Sequence, residues 1–546
     1  MHYRHVLRQL GRLMLVLGVG MAAIAALEWV LWVVLADRGL DEELGLKAMG
    51  LASVVGMILG GLLWLAGRGE RVELMNRREA MLLVAMSWLV GATVAALPYW
   101  FWALAGGANP VALSVDNPAD LPPGIPGSTA ESMGVPGAAD HPFQGFFACY
   151  FEAMSGLTTT GATVLSDIPA LPNSLLLWRA MTHWLGGLGI VVLFVAVLPT
   201  IGVGGKRLFN VEAPGPQQQG VRPRIAETAR VLWFIYTGIT AAALVCYKLA
   251  GMSWFDSVCH AFSVVSTGGL SPKDASLGHY DSVAADAVSM VFMLLAGVNF
   301  GLMFALTRGR WRAVVKDEEL RVYLTLKVIV IAFVAFNLYG HEITTTAGRV
   351  LQADAFQALR FGAFQTISLH TGTGFVTADY DLWPYFSRAL LVGLMFIGGC
   401  AGSTAGGVKV IRFWIALKVI YASLERAFRP QVIRPLRVGQ AVVDDQQQLN
   451  ATVYLVFFFA VAMVGSLGLA FFETTAGHDI GFLTAATASL STLGNIGPGF
   501  NRIGATQNYG WFSDPSLALM SVLMMLGRLE VYAIAVLLLP RFWRGD

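Results

Sequence analysis

Four times along its 546 residues the chain repeats one pattern: a long apolar stretch, a shorter one, a small glycine-bearing polar run, and another long stretch. The shorter stretches are 142–158, 254–266, 354–370 and 479–492. Each falls short of the roughly 20 apolar residues a bilayer-crossing helix needs. The runs after them read Thr159-Thr160-Gly161-Ala162, Ser266-Thr267-Gly268-Gly269, Gly372-Thr373-Gly374-Phe375 and Asn495-Ile496-Gly497-Pro498. With Gly161, Gly268, Gly374 and Gly497 as third positions, the spacings are 107, 106 and 123 residues. Tandem repetition predicts quasi-equivalent units. Here it predicts four of them around one axis.

The long stretches number ten: 13–36, 47–66, 80–104, 174–199, 228–250, 283–307, 321–340, 385–423 (interrupted), 450–473 and 513–539. Only 13% of residues are charged, against about 25% in soluble proteins. That excludes a disordered chain and a large water-soluble enzyme. The net charge of +2 offers nucleic acid no basis for binding, and Cys149, Cys246, Cys259 and Cys400 lack metal-like spacing. The first stretch is too long for a signal peptide, with no cleavage-like site after it. Lys and Arg concentrate in alternate connections: Arg4, Arg8 and Arg12; Arg68, Arg71, Arg77 and Arg78; Lys206, Arg207, Arg222, Arg224 and Arg230; Arg308, Arg310, Arg312 and Lys316; Lys409 to Arg437; Arg541 and Arg544. Positive charge stays cytoplasmic. With an even number of spans, both termini are expected inside.

Irregular backbone at membrane depth survives only where protein buries it or water lines it. Four loops around an axis can present rings of carbonyl oxygens to a dehydrated cation. The short helices would aim their partially negative C-terminal ends at it. Carbonyls without a carboxylate favour a monovalent ion. The expected filter is Thr159, Thr160 and Gly161; Ser266, Thr267 and Gly268; Gly372, Thr373 and Gly374; Asn495, Ile496 and Gly497. Re-entrant turns with ordinary loop glycines are the bland alternative. Asp167, Asp274 and Asp379 follow the first three loops, where they steer cations to the mouth or are simply solvated. Unit four has Asn501 and Arg502 instead.

The eighth long stretch contains Gly398-Gly399-Cys400-Ala401-Gly402-Ser403-Thr404-Ala405-Gly406-Gly407. Five glycines in ten residues do not hold a helix, at about 1 kcal/mol each against alanine. The reading is an intramembrane gate loop below the filter, comprising Gly398, Gly399, Gly402, Ser403, Thr404, Gly406 and Gly407. A passive kink is the alternative; a serine nucleophile at Ser403 lacks a histidine base. Arg528 lies in the last long stretch, where a charge is costly unless it faces a watery interior. It is expected to face the pore as a cation barrier, or to sit in a structural ion pair. Glu530 is not on its helical face. Glu28 is intramembrane with no evident role. Arg179, His183 and Lys248 are expected to snorkel at outer helix ends. Gly186, Gly187 and Gly189 are expected at close packing contacts.

These residues resemble the Trk/Ktr/HKT superfamily of potassium transporters, most closely its TrkH-type bacterial subunits. The similar stretches are His183-Trp184-Leu185-Gly186-Gly187-Leu188-Gly189, Glu212-Ala213-Pro214-Gly215-Pro216, Thr373-Gly374-Phe375 with Asp379-Tyr380, Gly402-Ser403-Thr404 with Lys409 and Arg412, and Gly527-Arg528-Leu529-Glu530. They span about 150–546. The fourth run departs slightly, as Gly494-Asn495-Ile496-Gly497-Pro498-Gly499, which leaves its register open by a residue or two. The resemblance implies an all-α polytopic membrane protein of about ten transmembrane helices. Its divisions are an N-terminal helix pair (1–72) and pore repeats at 73–210, 211–312, 313–437 and 438–546. It implies a non-enzymatic potassium uptake pathway in the bacterial inner membrane, with potassium as cargo and no cofactor. It implies a homodimer among membrane lipid. It also implies cytosolic TrkA-type nucleotide-binding regulatory subunits, for which the basic segment 408–437 is the expected dock. An ion-coupled symporter is the competing reading, disfavoured because the repeats are parallel rather than inverted.

Overall fold

The computed structural model describes residues 3–35, 40–69, 76–107, 141–196, 221–431, 435–529, 534 and 536–544. The 212–216 motif, Glu530, and the sequence-derived spans beyond Ala196 and between 530 and 533 lie outside the described residues.

An N-terminal hairpin, α1 (Tyr3–Leu35) and α2 (Leu40–Ala66), packs on the first unit. Its helices meet backbone to backbone: a Cβ on Gly11 would lie 2.6 Å from Gly60 O. Small residues permit such contact where lipid supplies no hydrophobic drive between helices.

Each unit then runs helix, short helix, loop, helix. Unit one has α3 (Arg77–Trp102), α4 (Phe146–Leu157) and α5 (Asn173–Ala196). Unit two has α6 (Val221–Leu249), α7 (Trp254–Val265), α8 (Val283–Ala296) and α9 (Phe300–Thr307), with α10 (Trp311–Lys316) leading out. Unit three has α11 (Glu318–Leu338), α12 (Ala355–Thr371), α13 (Tyr385–Met395) and α14 (Val410–Phe428). Unit four has α15 (Asp445–Thr475), α16 (Phe482–Gly494) and α17 (Asp514–Arg528). Helix starts follow capping chemistry. Ser253, Asp354 and Asp444 accept the amides of Asp256, Gln357 and Gln447 at 3.0, 2.7 and 2.7 Å, satisfying donors left over in the first turn. The antiparallel pair β1 (Glu342–Thr344) and β2 (Val350–Gln352) precedes α12. A shorter pair, β3 (Arg437–Val438) and β4 (Ala441–Val442), precedes α15.

Among the described residues, five helices are long and apolar enough to cross a membrane: α1, α2, α3, α6 and α15. Lipid-facing side chains such as Phe336, Val456 and Phe471 stay exposed. The expected span 513–539 is helical as α17 only to Arg528 among the described residues, and a second span also needs correction. The stretch 283–307 is not one helix: α8 and α9 bend by 97° at a short break. Gly297 ends α8, and the Asn299 carboxamide caps α9 by accepting the Gly301 amide at 2.7 Å. The sequence signal was a glycine two residues before an N-cap asparagine.

Candidate functional site

The four short helices end at loops of one geometry. The first loop residue is left-handed in each: Thr159 (φ 53°), Thr267 (φ 56°), Gly372 (φ 69°) and Asn495 (φ 52°). Two residues later comes a left-handed glycine: Gly161 (φ 82°), Gly269 (φ 81°), Gly374 (φ 78°) and Gly497 (φ 100°). Between them, the amides of Thr160, Gly268, Thr373 and Ile496 donate to the carbonyls of Ser155, Ser263, Ser368 and Ser491 at 2.8–3.0 Å.

This corrects the register of unit two. Its equivalent run is Thr267-Gly268-Gly269, one residue later than the sequence reading. Ser266 closes α7 in right-handed geometry (φ −79°, ψ −8°), as Thr158 closes α4 (φ −77°, ψ 0°). In units one, three and four the equivalent runs are Thr159–Gly161, Gly372–Gly374 and Asn495–Gly497. The missed signal is the serine six residues before each third-position glycine, which Gly268 lacks and Gly269 has.

The loops close a ring. A Cβ on Gly161 would lie 2.0 Å from Gly268 O, on Gly269 1.9 Å from Thr373 O, on Gly374 2.1 Å from Ile496 O, and on Gly497 2.7 Å from Thr160 O. The cycle one–two–three–four–one leaves no room for a side chain, and positive φ disfavours one anyway. Gly268 is constrained differently: its Cβ would fall 2.2 Å from His183 Nδ1. Among the described residues, no protein donor reaches the carbonyls of Thr159–Gly161, Thr267–Gly269, Gly372–Gly374, Asn495 or Ile496. Buried carbonyls ordinarily have partners, so eleven unbonded ones around a ring, eight on buried residues and three on the half-buried Gly161, Gly269 and Gly374, mark a place for something electropositive.

Outside the ring, ties run between units. Asp274 Oδ1 accepts the Ile168 amide of unit one at 2.7 Å. Asp379 accepts the Asp381 amide, and Asp381 accepts the Asn501 amide of unit four at 3.0 Å. Asp167 accepts the Ala170 amide at 3.3 Å. Burial raises the carboxyls of Asp274 and Asp381, the latter to about 6. Arg502 lies over the Trp511 ring at 3.8 Å. Arg179 and His183 do not snorkel. Arg179 is buried against Glu152 (2.8 Å) and reaches Ser271 O, tying units one and two. His183 is buried beside Ser263. Lys248 does sit at a helix end, donating to Met252 O at 3.1 Å.

Below the ring, residues 396–409 join α13 to α14. The loop pairs on itself, Gly398 N to Val408 O (2.8 Å) and Val410 N to Gly399 O (3.1 Å). It is also knitted into the α8–α9 break: Cys400 N donates to Gly297 O, Thr404 N to Ala296 O, and Phe300 N to Gly402 O. Ala401 N donates to Glu319 at 2.7 Å. Ser403 Oγ donates to Cys400 O at 2.6 Å. Thr404 Oγ1 is shared between Val265 O and Ala296 O, both at 3.1 Å. Gly402 and Gly407 are left-handed, while a Cβ on Gly406 would press Gly494 O at 2.6 Å. The loop therefore lies directly beneath units two and four.

Arg528, buried, donates through Nη1 to Thr404 O at 2.6 Å and through Nη2 to Gly186 O at 3.5 Å. It links units four, three and one through backbone carbonyls. Of the glycines expected to pack closely, Gly186 and Gly187 do, their Cβ positions lying 1.8 Å from Leu157 O and 2.6 Å from Tyr236 Oη. Gly189 has nothing within 4 Å.

A closed ring of backbone loops, carried by four pseudo-equivalent helical units in an apolar shell, defines a polytopic helical membrane protein built around a central path. Residues 136–544 match the TrkH cation transport protein family, and the chain belongs to it. It is 32% identical over 550 residues to the Trk system potassium uptake protein TrkH of Escherichia coli strain K12, covering 100% of both chains. It is 39% identical over 404 residues to the TrkH of Halomonas elongata, covering 72% of this chain and 79% of the relative. The crystal structure of the potassium transporter TrkH from Vibrio parahaemolyticus superposes with a TM-score of 0.80 at 30% identity, over 100% of both chains.

Proposed function

We propose that the chain takes up potassium through a channel-like pore in the bacterial inner membrane, with both termini cytoplasmic. The observation that carries this reading is the ring itself: eleven carbonyls, eight of them on buried residues, that no donor among the described residues reaches. A dehydrated monovalent cation satisfies such oxygens without any carboxylate. Relatives bearing the name of a potassium uptake protein supply the identity of the ion. The loop 396–409, latched by Arg528, is the gate below the filter. In the working state two copies associate. Cytosolic nucleotide-binding subunits of the TrkA type dock on the basic inner face around 408–437 and move the gate.

The test is the reversal potential of the purified chain in proteoliposomes under a potassium gradient. A Nernstian response supports the pore. A response that needs a sodium or proton gradient makes the chain a symporter. Substituting serine at Gly161, Gly269, Gly374 or Gly497 is expected to abolish rescue of an uptake-deficient bacterium; full rescue by all four would remove the filter.

A further inference from the structure

The fourth unit breaks the symmetry of the ring at one atom. Gly497 O accepts the Ser491 hydroxyl at 2.7 Å and the Tyr509 hydroxyl at 2.7 Å. A carbonyl oxygen has two lone pairs, and here both are engaged by protein donors. The equivalent carbonyls of Gly161, Gly269 and Gly374 accept nothing from the described residues. The equivalent serines behave differently. Ser368 Oγ donates to Phe375 O, one residue beyond the third position, at 2.7 Å. Ser263 Oγ faces His183, and Ser155 Oγ has no partner among the described residues.

Tyr509 is held firmly for this contact. It is buried, and its amide donates to Thr163 O of unit one at 2.8 Å. Its ring packs on Phe151 and Phe512, with centroids 5.5 and 5.8 Å apart. Tyr380 of unit three sends its hydroxyl to Gly499 O of unit four at 2.8 Å, two residues past that unit's filter glycine. A tyrosine hydroxyl on a third-position carbonyl is thus peculiar to unit four among the described residues.

We propose that Tyr509 and Ser491 withdraw the Gly497 carbonyl from the ion path. The third-position ring then offers a cation three carbonyls rather than four. This rests on the reading of the loops as a potassium filter. The number of coordinating carbonyl dipoles is one determinant of discrimination between potassium and sodium. A missing ligand leaves the site less demanding of the larger ion. Tyr509 and Ser491 are therefore positioning residues that set how permissive the filter is toward sodium.

The test is the bi-ionic potassium–sodium reversal potential of the full chain in proteoliposomes, for the parent, Tyr509→Phe, Ser491→Ala, the double variant and Ser491→Thr. The double variant frees both lone pairs and is expected to lower sodium permeability relative to potassium, read as a shift of the bi-ionic reversal potential toward higher potassium selectivity. Each single variant should shift it less, and Ser491→Thr, which keeps the hydroxyl, should behave as the parent. Tyr509→Phe retains the packed ring and carries the test if the double variant does not fold. Selectivity equal to the parent in folded variants overturns the proposal. So does a rise in sodium permeability, the result expected of a tyrosine that merely stiffens the loop. A parent without potassium selectivity defeats the underlying filter reading instead.

Discussion

Units one and four differ from units two and three in what passes behind the short helix. In unit one α5 runs unbroken past the end of α4, with Gly186 against Leu157 O; in unit four Gly527 of α17 lies against Leu493 O. In units two and three the corresponding helix breaks, at Gly297 and across 396–409. The end of α7 is then reached not by its own unit but by Thr404 of unit three, through Val265 O. Two units thus form a rigid half in which helix backbones touch. The other two form a half in which loops are stitched by hydrogen bonds. Helix-against-helix backbone contact leaves little room to rearrange, whereas hydrogen bonds of about 1 kcal/mol each can exchange. The proposed gate lies in the second half and meets the first through Gly406 against Gly494 O and through Arg528.

The contrast predicts unequal damage. A Cβ at Gly186 or Gly527 would lie 1.8 Å from a helix carbonyl. Gly186→Ala and Gly527→Ala should each cost about 3 kcal/mol or more and sharply reduce monodisperse protein on gel filtration. At Gly297 the nearest atom is the Tyr323 hydroxyl, 2.1 Å away at the end of a side chain that can shift. Gly297→Ala should leave most of the protein folded; equal damage at all three sites would erase the distinction between the halves.

Arg528 is the bolt between them, donating to Thr404 O and Gly186 O. A charged hydrogen bond contributes about 1.5–3 kcal/mol, so Arg528→Ala should raise potassium flux in proteoliposomes roughly tenfold. Lost folding without faster flux would make the arginine structural only. Thr404→Val removes one shared hydroxyl donation and should raise flux by a smaller factor, about fivefold. Thr404→Ser should behave as the parent.

The smallest effect concerns the ties just outside the ring. Burial lifts the Asp381 carboxyl to about 6, above its unfolded value. Folding therefore binds its proton more tightly, and its contribution favours the fold below the unfolded pKa and fades as pH rises through about 6. Asp381→Asn keeps an acceptor for the Asn501 amide. It should melt slightly higher than the parent at pH 7.5, with the difference vanishing near pH 4.5. A constant difference across that range would mean that Asp381 keeps one charge throughout.

Much of this was legible in the sequence because it is local. Stretch length against bilayer thickness marks helices that span and helices that do not. Glycine marks positions needing positive φ, which places Gly161, Gly374 and Gly497 without reference to a neighbour. Clustered glycines mark the break after Met395. Unit two shows where local reasoning stops. It offers adjacent glycines; a serine six residues earlier marks Gly269, and the partner each one meets confirms the difference: His183 behind Gly268, Thr373 O beside Gly269. The snorkelling expectation for Arg179 failed because its partner Glu152 lies 27 residues away.

By itself, then, the sequence determined a membrane chain of four repeated units with glycine loops and one interrupted helix, since apolar length and backbone freedom are properties of short segments. Tertiary structure alone decided what Arg528 grips, which partner each unit-two glycine meets, and that Tyr509 claims the Gly497 carbonyl. Each of these is a contact between segments distant in the chain, and no property of either segment alone specifies the atom it will meet.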